Sequence, residues 1–281
     1  MVGDNGSSDG TGAMLRRLEP ELGIRSVYER RAGMNYARLS ALEQTSGELI
    51  VFTDDDVVPD PQWLAALVDG VARWPRMNVF GGSITLLYPA GTPAWMRALR
   101  HVGFPDKPES RPEGPMLDAL PTGPNFAVRR GLFDSVTFST DIGPDGTATY
   151  IMGAETEFLR RAREAGHVPV FVPAAHVGHI IQEHQMLDGY LVARAYRLGR
   201  GSVSVEREAE GAGRKLLGVP YYIWRWWAEG AAAGIIGGLG GGRPMRLQAS
   251  VTRSYCRGFM REVWRQGRPG AVMRGAAVPG G

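Results

Sequence analysis

Leu49-Ile50-Val51-Phe52-Thr53 is an unbroken apolar run of strand length, the pattern of a strand covered on both faces. Before it, Met34, Ala37, Leu39, Ala41 and Leu42 recur at helical spacing between Gly33 and Gln44, and Ile24 to Tyr28 alternates as a short strand. Met14, Leu15 and Leu18 predict a first helix, capped by Ser7 or Ser8. Downstream, Pro59 to Val71 reads as a helix with Trp63, Leu64, Leu67 and Val68 inward, and Asn78 to Leu86 as a strand. The period is then lost. Eight prolines fall from Pro89 to Pro124, which predicts a long loop or lid after Tyr88. Asn125 to Val128 reads as a short strand, Arg130 to Phe133 as a helical turn, Glu155 to Ala165 as an amphipathic helix and Val168 to Val172 as a strand. Beyond Gln185 the pattern is helical.

This alternation of strands and helices predicts an α/β fold with a mostly parallel sheet and helices on both faces. Met1 and Val2 read as the end of a buried strand running straight into a turn, so a preceding βαβ unit of ~30 residues is expected to be missing. Charge divides the chain. Residues 185–281 hold 15 Arg and Lys against 6 Asp and Glu, a net +9, which leaves −6 for residues 1–184 out of the total of +3. We therefore expect an α/β domain over 1–184 and a helical, basic extension over 185–281. The single cysteine, Cys256, excludes an internal disulfide. The amino end carries no basic and apolar signal-peptide pattern, and Gly230 to Gly242 is too short to span a bilayer, so a cytoplasmic protein is expected.

The candidate chemistry is acidic. Asp54-Asp55-Asp56 closes the apolar run, and three adjacent carboxylates repel one another unless a hard divalent cation relieves them. Ligands of open α/β sheets bind beyond the carboxyl ends of strands, which is where this triplet falls. The competing reading is a solvated turn with Asp60 as a helix cap. Asp4-Asn5-Gly6-Ser7-Ser8-Asp9-Gly10-Thr11 precedes a helix, where it fits either an anion site or an Asx turn. Glu155 and Glu157 open a helix, either complementing its dipole or offering a general base at a pocket rim. His176 and His179 are metal-ligand candidates or ordinary loop histidines.

Taken in order, these segments resemble the family 2 glycosyltransferases, inverting enzymes of GT-A fold that use nucleotide sugars. Residues 4–11 are similar to the family's D-x-G-S-x-D-G-T segment. Gly33-Met34-Asn35-Tyr36-Ala37-Arg38-Leu39 and Gly47-Glu48-Leu49-Ile50-Val51-Phe52-Thr53-Asp54-Asp55-Asp56 resemble its A-R-N and D-D-D stretch. Gly123-Pro124-Asn125-Phe126-Ala127-Val128, Gly153-Ala154-Glu155-Thr156-Glu157-Phe158 and Val172-Pro173-Ala174-Ala175 with His179 resemble its later motifs. The resemblance implies a nucleotide-sugar donor held by Asp4, Arg38, Asp54, Asp55 and Asn125. It implies Mn²⁺ or Mg²⁺ on Asp56 and His179, Glu155 as the catalytic base, and Gly123 and Glu157 on the acceptor side. The acceptor would be a glycan or a lipid-linked molecule. Ala154 stands at the family's first acidic place, which with the missing strand motivates a second reading, a catalytically impaired sugar-nucleotide-binding scaffold.

The basic extension contains Tyr221-Tyr222-Ile223-Trp224-Arg225-Trp226-Trp227, and Arg253, Arg257, Arg261 and Arg265 recur every four residues as one helix face. Aromatics beside arginines fit a peripheral contact with the inner face of a membrane, or a helical cap packed by its tryptophans. Nucleic acid fits this pattern less well.

Overall fold

The computed structural model describes residues 1–106, 110–206 and 214–267. Its elements are β1 (Val2–Asp4), α1 (Thr11–Leu22), β2 (Ser26–Tyr28), α2 (Met34–Glu43), β3 (Leu49–Phe52), β4 (Val57–Pro59) and α3 (Trp63–Arg73). There follow β5 (Val79–Leu87), α4 (Ala94–Arg97), β6 (Gly114–Pro115), β7 (Phe126–Arg129), α5 (Ala154–Glu164), β8 (Val170–Ile180) and α6 (Asp188–Glu206). A small ladder of β9 (Lys215–Leu216) and β10 (Val219–Pro220) leads into α7 (Tyr221–Ile236) and α8 (Gly242–Gln266).

The α/β class and the helical carboxyl-terminal region hold, but the strand directions are mixed. The six-stranded sheet runs β3-β7-β5-β8-β4, with β6 beside β8. Within it only β5 and β8 are parallel; β7 is antiparallel to both β3 and β5. Apolar runs report burial and not direction, which the connections decide: β4 begins four residues after β3 and turns back along β8 instead of crossing over. The parallel pair β1–β2 forms a separate ladder. Because β3 pairs only with β7, its four residues are half-buried and not covered on both faces as expected.

Side-chain alternation gives the sheet two apolar faces. Phe80, Ala127, Val170 and Val172 meet Trp63 and Leu67 of α3, while Val79, Phe126 and Val128 meet Phe158, Leu159 and Ala162 of α5. The inward positions expected for α3 are corrected here: Leu64 and Val68 are exposed, since a helix lying flat on a sheet turns only one stripe toward it. The expected serine cap is also replaced. α1 starts at Thr11, where the Asp9 carboxylate accepts from both the amide and the hydroxyl of Thr11, and Ser7 and Ser8 are exposed.

A third core joins α6, α7 and α8 to the proline-rich segment through Met96, Leu99, Val102, Leu191, Val251 and Phe259. Glycines set the closest approach. A Cβ on Gly199 would lie 2.0 Å from the Tyr255 carbonyl, and one on Gly258 2.0 Å from the Tyr196 carbonyl, so α6 and α8 cross backbone to backbone.

The feature that positions the site is a break in the β5–β8 ladder. Gly82 pairs with Val172, but Ser83 pairs with His176, so Pro173 to Ala175 bulge out of register. Ser83 Oγ donates to the Pro173 carbonyl, and the buried Asn125 amide donates to the carbonyls of Ser83 and Ala175. The bulge has no room for a larger residue at position 82, where a Cβ would stand 1.9 Å from the Ala175 oxygen and 2.3 Å from Asn125 Nδ2. Gly82→Ala is therefore expected to lower stability by about 3 kcal/mol or more, the range of severe overpacking. Gly189→Ala, at an open helical position, should stay within about 0.5 kcal/mol of the parent. Urea titrations giving equal stability for the two variants would refute the close contact at the bulge.

Candidate active site

Beyond the bulge, β8 carries two histidines three residues apart, and strand alternation turns them to opposite faces. His176 bonds Thr85 Oγ1. His179 is buried and meets the acidic turn, because β4 pairs with β8 so that Val57 faces His179 and Asp56 O accepts from Ile180 N. Nε2 of His179 lies 3.3 Å from Asp56 Oδ1, and Nδ1 is buried without a partner. Asp54, Asp56 and His179 each present a ligand atom within 4.8 Å of the others. Two carboxylate oxygens and an imidazole nitrogen so disposed fit a divalent cation of the Mn²⁺ or Mg²⁺ type. Asp55, between them in sequence, is exposed and outside this group, since successive residues of an extended turn point in different directions.

Glu155 is near enough to this group for its charge to act on Asp54, and together they form the candidate cleft. Glu155 sits in the first turn of α5, where Gly153 enters the helix at φ 105° and frees the amino end to approach the sheet. Arg38 of α2 donates to Glu155 Oε1 at 2.5 Å and to Asn35 Oδ1 at 3.2 Å, and its guanidinium stands over the Phe138 ring. Asn35 is anchored in turn to the carbonyls of Ser139 and Ile142. Beneath this pair, Phe52, Phe126, Phe133, Phe138 and Phe158 pack as one aromatic cluster.

Gly123 borders Glu155 directly: a Cβ there would lie 3.0 Å from Glu155 Cδ, so a larger residue would press on the carboxylate. The cleft is electrostatically crowded. The Asp54 carboxyl is pushed up to about 6, first by burial and then by the Glu155 charge, with Arg38 pulling the other way. Asp56 is held below the ordinary carboxylate range, chiefly by its bond with the His179 ring.

Three expected site residues have other work. Asn125 is wholly buried, Trp63 Nε1 donates to its Oδ1, and both of its amide N–H bonds go to backbone carbonyls, so no donor of its side chain is free. Glu157 is turned away from the cleft and accepts two bonds from Arg161, one turn on along α5. Arg38 gives one bond each to Glu155 and Asn35 and so positions a carboxylate. Asp4 is buried, and its Oδ1 accepts from Ser7 N, three residues on. Ala154, at the family's first acidic place, is buried against Gly143. Asn35 carried no expectation of its own; its one sequence signal was its place one helical turn before Arg38.

Comparison with known proteins agrees with this geometry. Residues 1–137 match the sequence model described as Glycosyl transferase family 2. Glycosyltransferase AglE of Haloferax volcanii is 28% identical over 208 residues, covering 73% of this chain and 62% of that protein. The N-acetylglucosaminyl-diphospho-decaprenol L-rhamnosyltransferase of Mycobacterium tuberculosis is 26% identical over 213 residues, covering 64% of this chain and 65% of its own length. The chain thus spans under two thirds of these curated relatives. Among solved structures, mannosyltransferase PcManGT from Pyrobaculum calidifontis, in complex with GDP-Man and Mn²⁺, superposes with a TM-score of 0.55 at 19% identity, covering 94% of this chain and 77% of that one. That likeness gives the GT-A fold. Motif order and sequence match agree: residues 1–137 are similar to glycosyl transferase family 2, and the relatives matched over a longer span are glycosyltransferases.

Proposed function

We propose that this protein is a divalent-metal-dependent, inverting glycosyltransferase that moves a sugar from a nucleotide-sugar donor to a hydroxyl acceptor. The observation that carries the reading is the grouping of Asp54, Asp56 and His179 ligand atoms within 4.8 Å of one another, with the Arg38-held Glu155 close enough for its charge to act on Asp54. Asp54, Asp56 and His179 would hold the cation; Asp4 and Asp55 are assigned to the nucleoside. When bound, such a cation supplies positive charge against the diphosphate of the departing nucleotide. The complex of the Pyrobaculum mannosyltransferase with GDP-Man and Mn²⁺ supports this assignment.

The chain's own residues account for the other half of the reaction. Glu155 takes the proton of the acceptor hydroxyl as that oxygen bonds to the anomeric carbon. The bond from that carbon to the phosphate oxygen breaks, and its electron pair leaves with the nucleoside diphosphate. Attack and departure on opposite faces invert the centre. Arg38 fixes the aim of the carboxylate, and Gly123 leaves space beside it for the acceptor. The rhamnosyltransferase relative, named for a diphospho-decaprenol substrate, supports a lipid-linked acceptor. No helix among the described residues is long and apolar enough to cross a membrane. The exposed Ile235, Ile236 and Leu239 between α7 and α8 support a peripheral contact with a lipid surface instead.

A thermal-shift screen of UDP-, GDP- and TDP-sugars with and without Mn²⁺ tests the donor side. One nucleotide should stabilise the protein only with the metal, and Asp56→Ala should abolish that shift. Glu155→Gln should keep the shift and lose about 10²- to 10⁴-fold in kcat; full turnover in that variant would show that the base lies elsewhere.

The metal-free protein gives a further test. Burial and the Glu155 charge push the Asp54 carboxyl up to about 6 from the ordinary 3.8, so the stability it contributes is full below pH about 4 and is lost as pH rises through 6. Asp54→Asn removes that dependence. In EDTA it should be about 2 kcal/mol more stable than the parent at pH 7.5, with the difference vanishing near pH 4. Urea titrations finding Asp54→Asn less stable than the parent at pH 7.5 would contradict the crowding of charge in the cleft.

A further inference from the structure

Away from the cleft, where α6 and α8 cross, a cavity of about 520 Å³ is lined by Tyr196 and Arg200 of α6 and by Arg257, Arg261, Trp264 and Arg265 of α8. The regular arginine spacing did not foretell this arrangement in full. Each step of four residues drifts about 40° around a helix of 3.6 residues per turn. Arg253 accordingly lies against Gly230 and Gly234 of α7, and only the last three members of the series reach the cavity. The glycine contacts at Gly199 and Gly258 hold the two walls at a fixed separation.

The charges in this cavity are poorly balanced. Glu262, fully buried, accepts from Nε and Nη2 of Arg200 at 3.0 and 2.8 Å, from Nε and Nη2 of Arg265 at 2.8 and 2.5 Å, and from Gln266. Arg200 gives its remaining nitrogen to the Thr149 carbonyl. One carboxylate therefore orients two arginines, and Asp141 is the other acid acting on Arg265. Arg257 and Arg261 are exposed and have no ion pair among the described residues. Along α8 the pairs 257/261 and 261/265 place like charges one turn apart, which is unfavourable unless an anion lies between them.

We propose that this cavity is a binding site for a phosphate-bearing ligand, built from none of the residues of the Asp54–Asp56–His179 cluster. Guanidinium groups match phosphate oxygens in bidentate geometry, and Arg257, Arg261 and the unused Nη1 of Arg265 are the available donors. The volume suits a ligand larger than one phosphate, with Trp264 and Tyr196 as surfaces for its apolar or sugar portion. The site is tied to the catalytic side of the molecule. Gly201 lies against the Met152 carbonyl, Met152 N donates to the Arg197 carbonyl, and Arg200 holds Thr149. That segment runs directly into α5 and Glu155.

The test uses the full chain in EDTA at low ionic strength, with inorganic pyrophosphate titrated by calorimetry. Flotation with vesicles of phosphatidylcholine, alone or mixed with phosphatidylglycerol, runs in parallel. The parent should bind pyrophosphate, and Arg257→Ala with Arg261→Ala should weaken that binding at least ~10-fold, as expected for two lost charge-assisted contacts. Asp56→Ala should leave it unchanged, which separates this site from the proposed cation site. Flotation only with phosphatidylglycerol, lost in the double variant, supports the site and identifies a lipid headgroup as its ligand. Unchanged melting temperature and circular dichroism in the double variant confirm that it folds. The proposal is overturned if neither probe binds, or if binding survives the double variant or depends on Asp56; Asp56-dependent donor binding can stand in any of these cases.

Discussion

One buried amide, Asn125, ties together the parts of the molecule from which the cleft is made. It donates to Ser83 on β5 and to Ala175 in the bulge of β8, and it accepts from Trp63 of α3. In an apolar interior each of these groups would otherwise be left without a partner, at a penalty of roughly 1–3 kcal/mol apiece. The bulge it closes shifts the register between β5 and β8, and the shifted strand brings His179 opposite the start of β4, beside Asp56. A wholly buried residue whose donors are both used inside the fold thus determines where the candidate cation ligands stand.

Within the cleft, the organising force is repulsion held in check. Asp54, Asp56 and Glu155 concentrate negative charge at the end of the sheet, and the fold offsets only part of it, with Arg38 on Glu155 and His179 on Asp56. Asp54 stands among them, and burial first, with the Glu155 charge second, raises its carboxyl to about 6. A site that leaves charge uncompensated in the free protein gains most when a cation and an anionic donor arrive together. The aromatic cluster below Arg38 removes water from one side of the ion pair and strengthens it.

The helical region reverses the sign of the same principle. Around the α6–α8 crossing it is arginine that is in excess, and one buried glutamate orients two of the guanidiniums without neutralising the group. The backbone contacts of α6 with residues 149–153 connect this basic surface to the segment leading into Glu155. An acidic cleft and a basic cavity are thereby joined through one short stretch of chain, in keeping with the opposite net charges of the two halves of the sequence.

Most of the order of elements, the acidic turn after an apolar strand, Glu155 at a helix start and the helical character of the basic region were legible in the sequence, because they depend on local periodicity and on residue type, whereas the three-residue β4 after the acidic turn was too short to show a period. His179 was legible only as one of two histidines; separating it from His176 required the strand to extend through both, which alternation then resolved. Strand direction was not legible, since β4 and β7 are antiparallel through connections whose geometry no apolar pattern encodes. Nor were the roles of Asn125, Glu157 and Arg38, three polar residues in motif-like segments whose bonding groups are taken by Trp63, Arg161 and Glu155. A sequence states which groups a side chain carries. Whether those groups face a ligand or are already satisfied is settled by residues 4 to 117 positions away, and only the tertiary structure brings them within hydrogen-bonding distance.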